Sequence, residues 1–221
     1  MMERSNLKSA TVKLENNFHA LTEAASKLEN RLVEFLIQKW AVSITMDPDT
    51  AHPNLEVSDD GKAVSLSERP LEVVPSPKRF TQTTMVLAHQ SFDAGKYYWE
   101  VIVQDKSDWS VGIAKKSMPR NESNNLTNSP LAWSVSFQQR QYLAWHNSIS
   151  TSLEITTLHR LGLFLDYDAG QLAFYDASNM NPVHTFSETF NEPVFPAFNP
   201  GRSADKTKKA ILILSDGEAR S

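Results

Sequence analysis

Apolar residues recur along the first part of the chain at the spacing of a helix. Every seventh position is large and apolar, at Leu7, Leu14, Leu21, Leu28 and Phe35. The interleaved positions, four residues further on, carry Thr11, Phe18, Ala25 and Leu32. This alternation of three and four residues is typical of a coiled-coil seam. Because no Pro or Gly interrupts residues 1–46, the pattern predicts an amphipathic coiled-coil helix as a first unit, residues 1–41.

A helix of this length cannot bury its own apolar stripe, and the sequence leaves two solutions open. In the first, which we prefer, two copies form a homodimer through a seam of Leu7, Leu14, Phe18, Leu21, Leu28 and Leu32. In the second, the helix folds back onto the domain that follows it. Residues 32–40 are apolar around more of the helix than a dimer seam requires, so we expect these last turns to pack on that domain.

From residue 42 onward the apolar spacing falls towards two, with turn residues at short intervals. Residues 55–58 alternate, Asp59-Asp60-Gly61 can form a tight turn, and residues 63–66 alternate again, which predicts a hairpin. Similar strand and turn patterns continue to about residue 215. Among them, the strand segments 133–137 and 142–145 flank a polar hairpin tip at residues 138–141. The strand over residues 97–103 is expected to be covered on both faces, so Glu100 needs a partner such as a backbone amide or an Arg. The sequence therefore predicts a mainly β protein, with an antiparallel β-sandwich over residues 42–215, one long N-terminal α-helix before it, and a tail of residues 216–221.

Charge and cysteine content narrow the possible classes of function. The 221 residues include 22 Lys and Arg against 26 Asp and Glu, a net charge of −4, so we expect neither direct nucleic-acid binding nor attraction to an anionic membrane. Cys is absent, which excludes disulfides, thiol nucleophiles and cysteine zinc sites within this chain. No apolar run approaches the roughly 20 residues of a membrane span, and no signal peptide is evident. We therefore expect a cytoplasmic protein.

Sequence signatures of catalysis are also missing. The 7 glycines form none of the motifs G-x-S-x-G, G-x-x-x-x-G-K or G-x-G-x-x-G. The 6 histidines are scattered, and no two stand at metal-ligand spacing. We therefore predict a binding protein with no catalytic residues, no metal site and no cofactor.

Five segments resemble the PRY-SPRY family. They are residues 46–53, which begin Met46-Asp47-Pro48, and the runs Gly95–Val101, Trp109–Ala114, Leu165–Asp168 and Phe195–Phe198. The departures are mild, since Met46 stands where the family usually has Leu and Asp168 where it usually has Glu. The resemblance covers about residues 42–215, and it implies a bent antiparallel β-sandwich whose loops bind protein partners.

The resemblance implies a shallow partner-binding pocket formed by loops at one end of the sandwich. Trp109, an aromatic residue after a polar turn, is a candidate anchor, weighed against a place in the core. Polar loops and strand ends add the candidate contact residues Arg120, Asn121, Gln138, Arg140, Trp145, His146 and Asn147. The family pattern adds Phe198 and Asn199 as pocket-lining residues, with a core position for Phe198 equally open.

A helix that runs directly into the PRY segment is similar to the arrangement in tripartite-motif and Riplet-like ubiquitin ligases. The resemblance implies a module that selects protein substrates for such a ligase in innate immune signalling, with dimerisation raising the avidity. Residues 142–147 resemble the Riplet group, which implies an RNA-sensing helicase or another oligomeric protein as the target. Because a RING needs cysteine, ligase activity would lie in a longer parent protein.

Two other functions stay open at this level. A butyrophilin-like intracellular sensor would hold a small phosphorylated ligand in a basic pocket, although the candidate loops contribute only Arg120, Arg140 and His146 among mostly neutral residues. A non-catalytic dimer scaffold would use the helix alone, and substitutions in the loops would leave its interactions intact.

Overall fold

The structure of the protein is a computed structural model that describes residues 2–104, 108–201 and 211–215, with the backbone only for residues 2–10 and 211. The predicted tail and the side chain of the seam residue Leu7 lie outside the described part. The helix α1 spans Met2–Gln38 as one uninterrupted α-helix, as predicted. It ends at a turn in which the Trp40 and Ala41 amides donate to the carbonyls of Ile37 and Gln38.

Thirteen strands in the described part form two sheets. Their bounds are β1 Leu55–Val57, β2 Ala63–Leu66, β3 Val86–Leu87, β4 Lys96–Ile102, β5 Trp109–Lys115, β6 Ala132–Gln138, β7 Gln141–His146, β8 Ile149–Leu153, β9 Arg160–Asp166, β10 Gln171–Asp176, β11 Asn181–Ser187, β12 Val194–Asn199 and β13 Ile211–Leu214. One sheet has seven strands in the order β1-β2-β13-β4-β9-β10-β11, and the other has six in the order β3-β12-β5-β6-β7-β8. The paired strands are antiparallel, which confirms the predicted antiparallel sandwich.

The core lies between the two sheets and uses alternate positions of each strand. On β4, Trp99 and Val101 point inward, and Val111 of β5 meets them from the other sheet. Trp133 of β6 packs edge-on against Phe190, with ring centroids 5.3 Å apart. Burial of a large apolar side chain contributes roughly 1.5–3 kcal/mol, so this inner layer is the main source of stability.

The last turns of α1 lie on the outer face of the seven-stranded sheet. Val33 and Ile37 pack against Tyr98 of β4 and against Met180. The Asn30 side-chain amide lies beside this contact and donates to Asn181 Oδ1 over 2.6 Å. The expected packing of the last turns is therefore present, but it involves a single stripe of the helix.

The predicted dimer seam lies on another side of α1. Its described side chains are 57–74% exposed, at Leu14, Phe18, Leu21, Leu28 and Leu32, and Phe35, which continues the seven-residue spacing, is 78% exposed. At about 100° per residue, this stripe is centred roughly 145° around the helix from the docked stripe. Docking on the sandwich and pairing with a second helix thus use different faces, so the two arrangements considered from sequence are compatible.

A buried carboxylate on the outer face of β4 has two hydrogen-bond partners. Glu100 is 8% exposed. The Tyr98 hydroxyl donates to its Oε1 over 2.9 Å, and Arg160 Nη1 donates to its Oε2 over 3.0 Å. A carboxylate removed from water needs such partners, and here they join the neighbouring strands β4 and β9.

The six-stranded sheet is also buried on its outer face, where a second cluster consists of Phe80, Met85, Leu87, Ala114, Met118, Leu126, Ala132 and Ala197. The residues that cover the sheet come from two irregular segments, residues 79–85 and 116–131. Arg79 holds the first segment, because its Nη1 donates to the carbonyls of Pro48 and Ala51 over 2.9 and 2.6 Å. This third layer covers β3, β12, β5 and part of β6, and leaves β7 and β8 half-buried or exposed on that side.

Two-residue turns join β6 to β7 and β7 to β8. The central residues have positive φ angles, 49° and 65° at Gln139 and Arg140, and 51° and 63° at Asn147 and Ser148. Positive φ at both positions marks type I′ turns, which suit the twist of a hairpin. The hairpin with a polar tip that the sequence predicts at residues 138–141 is therefore present.

Substitution of Gly112 by Ala is expected to destabilise the fold. A Cβ at this position of β5 would lie 1.9 Å from the carbonyl oxygen of Trp133 and 2.7 Å from Ser134 Cα. Both are backbone atoms of β6, so the two strands would have to separate. We expect the free energy of unfolding to fall by about 3 kcal/mol, as measured by urea denaturation. The exposed Thr185→Ala is the control, and a Gly112→Ala protein with wild-type stability would contradict this strand pairing.

Candidate functional site

A row of paired residues crosses the outer face of the six-stranded sheet near the tip of the β6–β7 hairpin. From β12 to β8 the row consists of Asn199, Ser110, Ser136, Leu143 and Ser152, each directly opposite the next. Directly paired residues point to the same face. Most side chains in this row are small, so the row forms the floor of a shallow depression.

Larger side chains stand on both sides of this row. Trp145 of β7 is half-buried, and its Nε1 donates to Ser136 Oγ over 2.9 Å. Gln138 is half-buried on the opposite side, next to the exposed Arg140 of the turn. We call the uncovered region formed by Gln138, Leu143, Trp145, Ser150 and Ser152, together with the buried Ser136 that accepts the Trp145 hydrogen bond, the open face.

A cavity of about 240 Å³ adjoins the open face at its Gln138 end. It is lined by Asp108, Trp109, Ser110, Gln138, Gln139, Asn199 and Gly201. Asn199 Oδ1 accepts a hydrogen bond of 2.9 Å from the Gly201 amide. Gly201 has a φ of 60°, and a Cβ there would lie 1.8 Å from the Asp108 carbonyl oxygen. Glycine at this position thus allows the chain after β12 to lie against the start of β5.

Four of the sequence-predicted contact residues come together here. Gln138, Arg140, Trp145 and Asn199 all lie on or beside the open face. Their side chains offer amides, one guanidinium and one indole, which can donate and accept hydrogen bonds around an apolar ring. Such a set can recognise a polypeptide surface through contacts with a partner's backbone and side chains.

The structure corrects the placement of Trp109 and Phe198. The side chain of Trp109 is 2% exposed, and its ring lies 6.3 Å from that of Tyr142 in the core. Phe198 is fully buried between the sheets. Both were considered as pocket aromatics, but strand alternation turns them inward, so only their backbones border the cavity or its rim.

His146 and Asn147 lie at the far end of β7, away from Gln138. The His146 ring is stacked on Trp133 at 4.8 Å, and its Nδ1 lies 2.9 Å from the carbonyl oxygen of Ala132. It therefore points to the inner side of the sheet, whereas the adjacent Trp145 points to the outer side. Asn147 is exposed in the turn that follows.

Arg120 and Asn121 belong to the loop layer over the second cluster. The Arg120 guanidinium lies 4.7 Å from the Phe80 ring centroid and donates to the Met118 carbonyl over 2.8 Å. Burial lowers the pKa of this guanidinium. Arg120 thus has a structural role in the loop, while Asn121 is exposed beside it. Partner contact by Asn121, His146 and Asn147 stays a prediction.

Sequence reasoning missed Leu143, Ser136 and the whole of β8 as parts of this region. Alternation along β7 could have placed Leu143 on the same side as Trp145, since the two are separated by one residue. The predicted hairpin with its tip at residues 138–141 already implied the pairing of Ser136 with Leu143, whereas no local signal could have placed Ser110 and Asn199 beside them.

A second cavity, of about 420 Å³, lies at the ends of β4 and β9. Ile102, Gln104, His159, Arg160 and Ser178 line it. An anionic ligand there would meet His159 and Arg160, but Arg160 already donates to the Glu100 carboxylate. A phosphate would have to compete with that buried charge, which makes this cavity a poor anion site.

Elsewhere in the described residues, no group of His, Asp and Glu could hold a metal ion. The helix of the described part is not long and apolar enough to cross a membrane. A β-sandwich with a shallow polar and aromatic face is the kind of surface that a binding domain presents.

The chain belongs to the SPRY family. The family model of the SPRY domain matches residues 96–213, and that of the SPRY-associated domain, PRY, matches residues 44–92. The resemblance noted from sequence is therefore confirmed. Domains of this kind are protein-interaction modules in tripartite-motif and butyrophilin proteins, with no catalytic role of their own.

Several curated proteins are similar to this chain over most of its length. Nuclear factor 7, ovary, of Xenopus laevis is 39% identical over 156 residues, 70% of this chain and 26% of the relative. The E3 ubiquitin-protein ligase TRIM69 of Rattus norvegicus is 34% identical over 170 residues, 77% of this chain and 34% of the relative. Human butyrophilin subfamily 1 member A1 is 33% identical over 200 residues, 87% of this chain and 37% of the relative. The chain thus spans 26–37% of the length of these relatives.

Solved structures share the fold. The crystal structure of the TRIM65 PSpry domain superposes with a TM-score of 0.72 at 27% identity, and the match covers 83% of this chain and 94% of that one. The stonustoxin structure gives a TM-score of 0.70 at 29% identity, over 80% of this chain and 29% of that one. The β-domain therefore has the PRY-SPRY architecture.

A half-buried histidine on β11, in the other sheet, makes the stability depend on pH. The His184 ring lies 4.5 Å from that of Phe186, and burial holds the pKa of His184 below its ordinary 6.5. The unfolded chain therefore binds this proton at a higher pH than the folded chain, so stability falls as pH drops below about 6.5.

The variant His184→Gln is expected to lose less stability than wild type between pH 7.5 and pH 5, as followed by melting temperature. The reduction should be partial, because burial also lowers the pKa of His52. Equal losses for the variant and wild type would contradict the assignment.

Proposed function

We propose that this chain is the substrate-recognition part of a ubiquitin ligase that acts in innate immune signalling. The open face contacts the protein substrate, with Gln138, Arg140, Trp145 and Asn199 as the principal contact residues. The observation that carries this proposal is the half-exposed Trp145 beside a floor of small side chains. An aromatic residue surrounded by polar groups is a common anchor in protein interfaces.

The ligase assignment is supported by the similarity to TRIM69, which is named an E3 ubiquitin-protein ligase. The chain itself contains no cysteine, so the RING that would recruit ubiquitin-loaded enzyme belongs to a longer parent protein. We place that parent in the cytoplasm, where a RING ligase meets its substrates.

The helix supports a dimeric arrangement. The five described seam side chains are at least 57% exposed on the face of α1 that does not touch the sandwich. A second copy of the helix would cover them and would carry two open faces on one assembly. Two weak sites on one dimer favour repetitive targets, so an RNA-sensing helicase assembled on RNA, or another oligomeric protein, is the target we propose.

We consider two alternative functions for the chain. A butyrophilin-like sensor of a phosphorylated ligand is favoured by the similarity to butyrophilin subfamily 1 member A1, and it would show thermal stabilisation by inorganic pyrophosphate. The pairing of Arg160 with Glu100 weighs against it. A scaffold that acts through its helix alone would be insensitive to substitutions on the open face.

The double variant Gln138→Ala, Arg140→Ala is expected to lose its protein target. Its two side chains are half-buried or exposed and make no core contact, so the fold should persist. Loss of central contacts typically costs more than about 1.4 kcal/mol, or tenfold in affinity. Affinity capture from cytosol with quantitative mass spectrometry should show one protein group depleted about tenfold.

The matched control, Gln171→Ala with Lys116→Ala, likewise removes one amide and one cationic side chain, at exposed positions near the other end of the strands. It should recover the same partners as wild type. Recovery of every partner by the Gln138, Arg140 variant as well would move the recognition surface away from the open face.

If the apolar seam forms a helix dimer, one charged side chain introduced into the seam should weaken that dimer. Leu21→Glu introduces a carboxylate at the centre of the described stripe, where Leu21 is 70% exposed in the single chain. Sedimentation should show the wild-type chain as a dimer and the variant at least about tenfold weaker in association. Asn16→Glu, off the seam on the same exposed helix, is the control. A monomeric wild type would contradict the proposed dimer.

A further inference from the structure

Strand β8 is an unusual sheet edge. Four strands end the two described sheets, namely β1, β3, β8 and β11. β1 and β3 have 3 and 2 residues, and β11 contains Pro182 and begins at Asn181, which the helix contacts. β8 has 5 residues, Ile149–Leu153, with no Pro, Gly or charged side chain. Natural sheets normally shorten, charge or cover such an edge, because it invites pairing with another chain.

The backbone register shows which groups of β8 face outward. The two-residue turn makes His146 and Ile149 a hydrogen-bonded pair, and the register then pairs Ala144 with Thr151. Hydrogen-bonded pairs alternate along an antiparallel ladder. The backbone amides and carbonyls of Ser150 and Ser152 therefore point away from β7, in the plane of the sheet, towards its unpaired edge. Two donors and two acceptors are thus aligned for another strand.

The side chains near this edge suit a partner with large apolar residues. Ser150 lies opposite Trp145, and Ser152 lies opposite Leu143. Both serines are exposed and small, so they leave the half-buried Trp145 and Leu143 accessible from the edge. On the other side of the strand, Ile149 is 70% exposed. A strand added here would bury apolar surface as well as satisfy the outward backbone groups.

We infer that β8 is a docking edge for an extended, uncharged segment of a partner protein. The segment adds to the six-stranded sheet as a further strand, with its backbone bonded to Ser150 and Ser152. Alternate residues of the segment are large and apolar and lie over the serines against Trp145 and Leu143. In this recognition mode the backbone supplies affinity and the alternate side chains supply specificity.

A second copy of this chain fits the edge less well. Antiparallel pairing of two β8 strands about Thr151 would set Ser150 of one copy opposite Ser152 of the other. Small side chains would then meet small side chains, and Trp145 would stay uncovered. The heterologous segment is therefore the occupant that the observations favour.

This inference rests on the proposed function, since it specifies the form of the protein segment that the open face receives. It nevertheless adds a distinct prediction, because recognition through Gln138 and Arg140 alone would need no contact with the β8 backbone. The two ideas can therefore fail separately.

The probe is a synthetic peptide of about seven residues that alternates threonine with leucine and carries a lysine at each end for solubility. The acetylated, amidated peptide is titrated to about 1 mM into the isotopically labelled full chain, and backbone amide signals are followed by NMR. The matched probe has the same sequence with alternate amides methylated, so that it keeps the side chains but cannot complete the ladder.

Two proline variants test the register within the protein. Ser152→Pro removes an outward amide and should leave the β7–β8 ladder intact, so its melting temperature should stay close to that of wild type. Thr151→Pro removes an amide that points to β7 and should lower the melting temperature. The pair therefore checks the outward direction of Ser152 without any ligand.

The expected result is a change of amide signal and slower hydrogen exchange at Ser150 and Ser152 on addition of the unmodified peptide. Both effects should vanish with the methylated peptide and with Ser152→Pro. No change at 1 mM, or equal binding of the two peptides, would overturn the inference. A weaker self-association of Ser152→Pro without peptide would also overturn it, because the occupant would then be a second copy.

The capture experiment separates the two ideas. If the peptide does not bind but target capture still depends on Gln138 and Arg140, the docking edge is rejected and the proposed function is retained. If the peptide binds at β8 but target capture is unaffected by the Gln138 and Arg140 substitutions, the docking edge is retained and those two residues are excluded from the proposed site.

Discussion

The arrangement of this protein depends on one constraint, which is that the six-stranded sheet carries apolar or small side chains on both faces. Its inner face belongs to the core with Trp133 and Val135, so its outer face needs a separate cover. Irregular segments around Phe80 and Leu126 supply that third layer, and Arg79 holds part of it through buried hydrogen bonds. Where the layer stops, the sheet is left with the open face, so the candidate site results from incomplete burial of a sheet.

The helix α1 also has apolar side chains on more than one face, and the sandwich covers only one of these faces. A stripe that includes Val33 and Ile37 docks on Tyr98, which also takes part in the hydrogen bonding around Glu100. This contact fixes the direction of the helix relative to the β-domain. Because the leucine seam lies on the other side, the orientation of any partner helix is set by the sandwich. The docked stripe thus relates the direction of the helix to the position of the open face through a few residues near the end of α1.

Much of the fold could be predicted from local pattern. Seven-residue spacing identified the helix, alternation identified the strands, and the polar tip at residues 138–141 marked a hairpin that the structure contains. The burial of Glu100 led to an expected partner, which is Arg160 together with Tyr98. The site was harder, because Trp109 and Phe198 were considered for the pocket and lie in the core instead. Their neighbours Ser110 and Asn199 face outward, so a shift of one residue along a strand separates core from surface.

The sequence by itself determined the class of fold and the family, because these depend on periodicity and motifs within short stretches of chain. Only the tertiary structure decided that Asn199 joins Ser136 and Leu143 in one row and that β8 ends its sheet. Those facts depend on strand order and register, which bring together residues more than fifty positions apart in the chain. Local pattern specifies which side chains alternate along a strand, whereas the long-range pairing of strands determines which neighbours they meet.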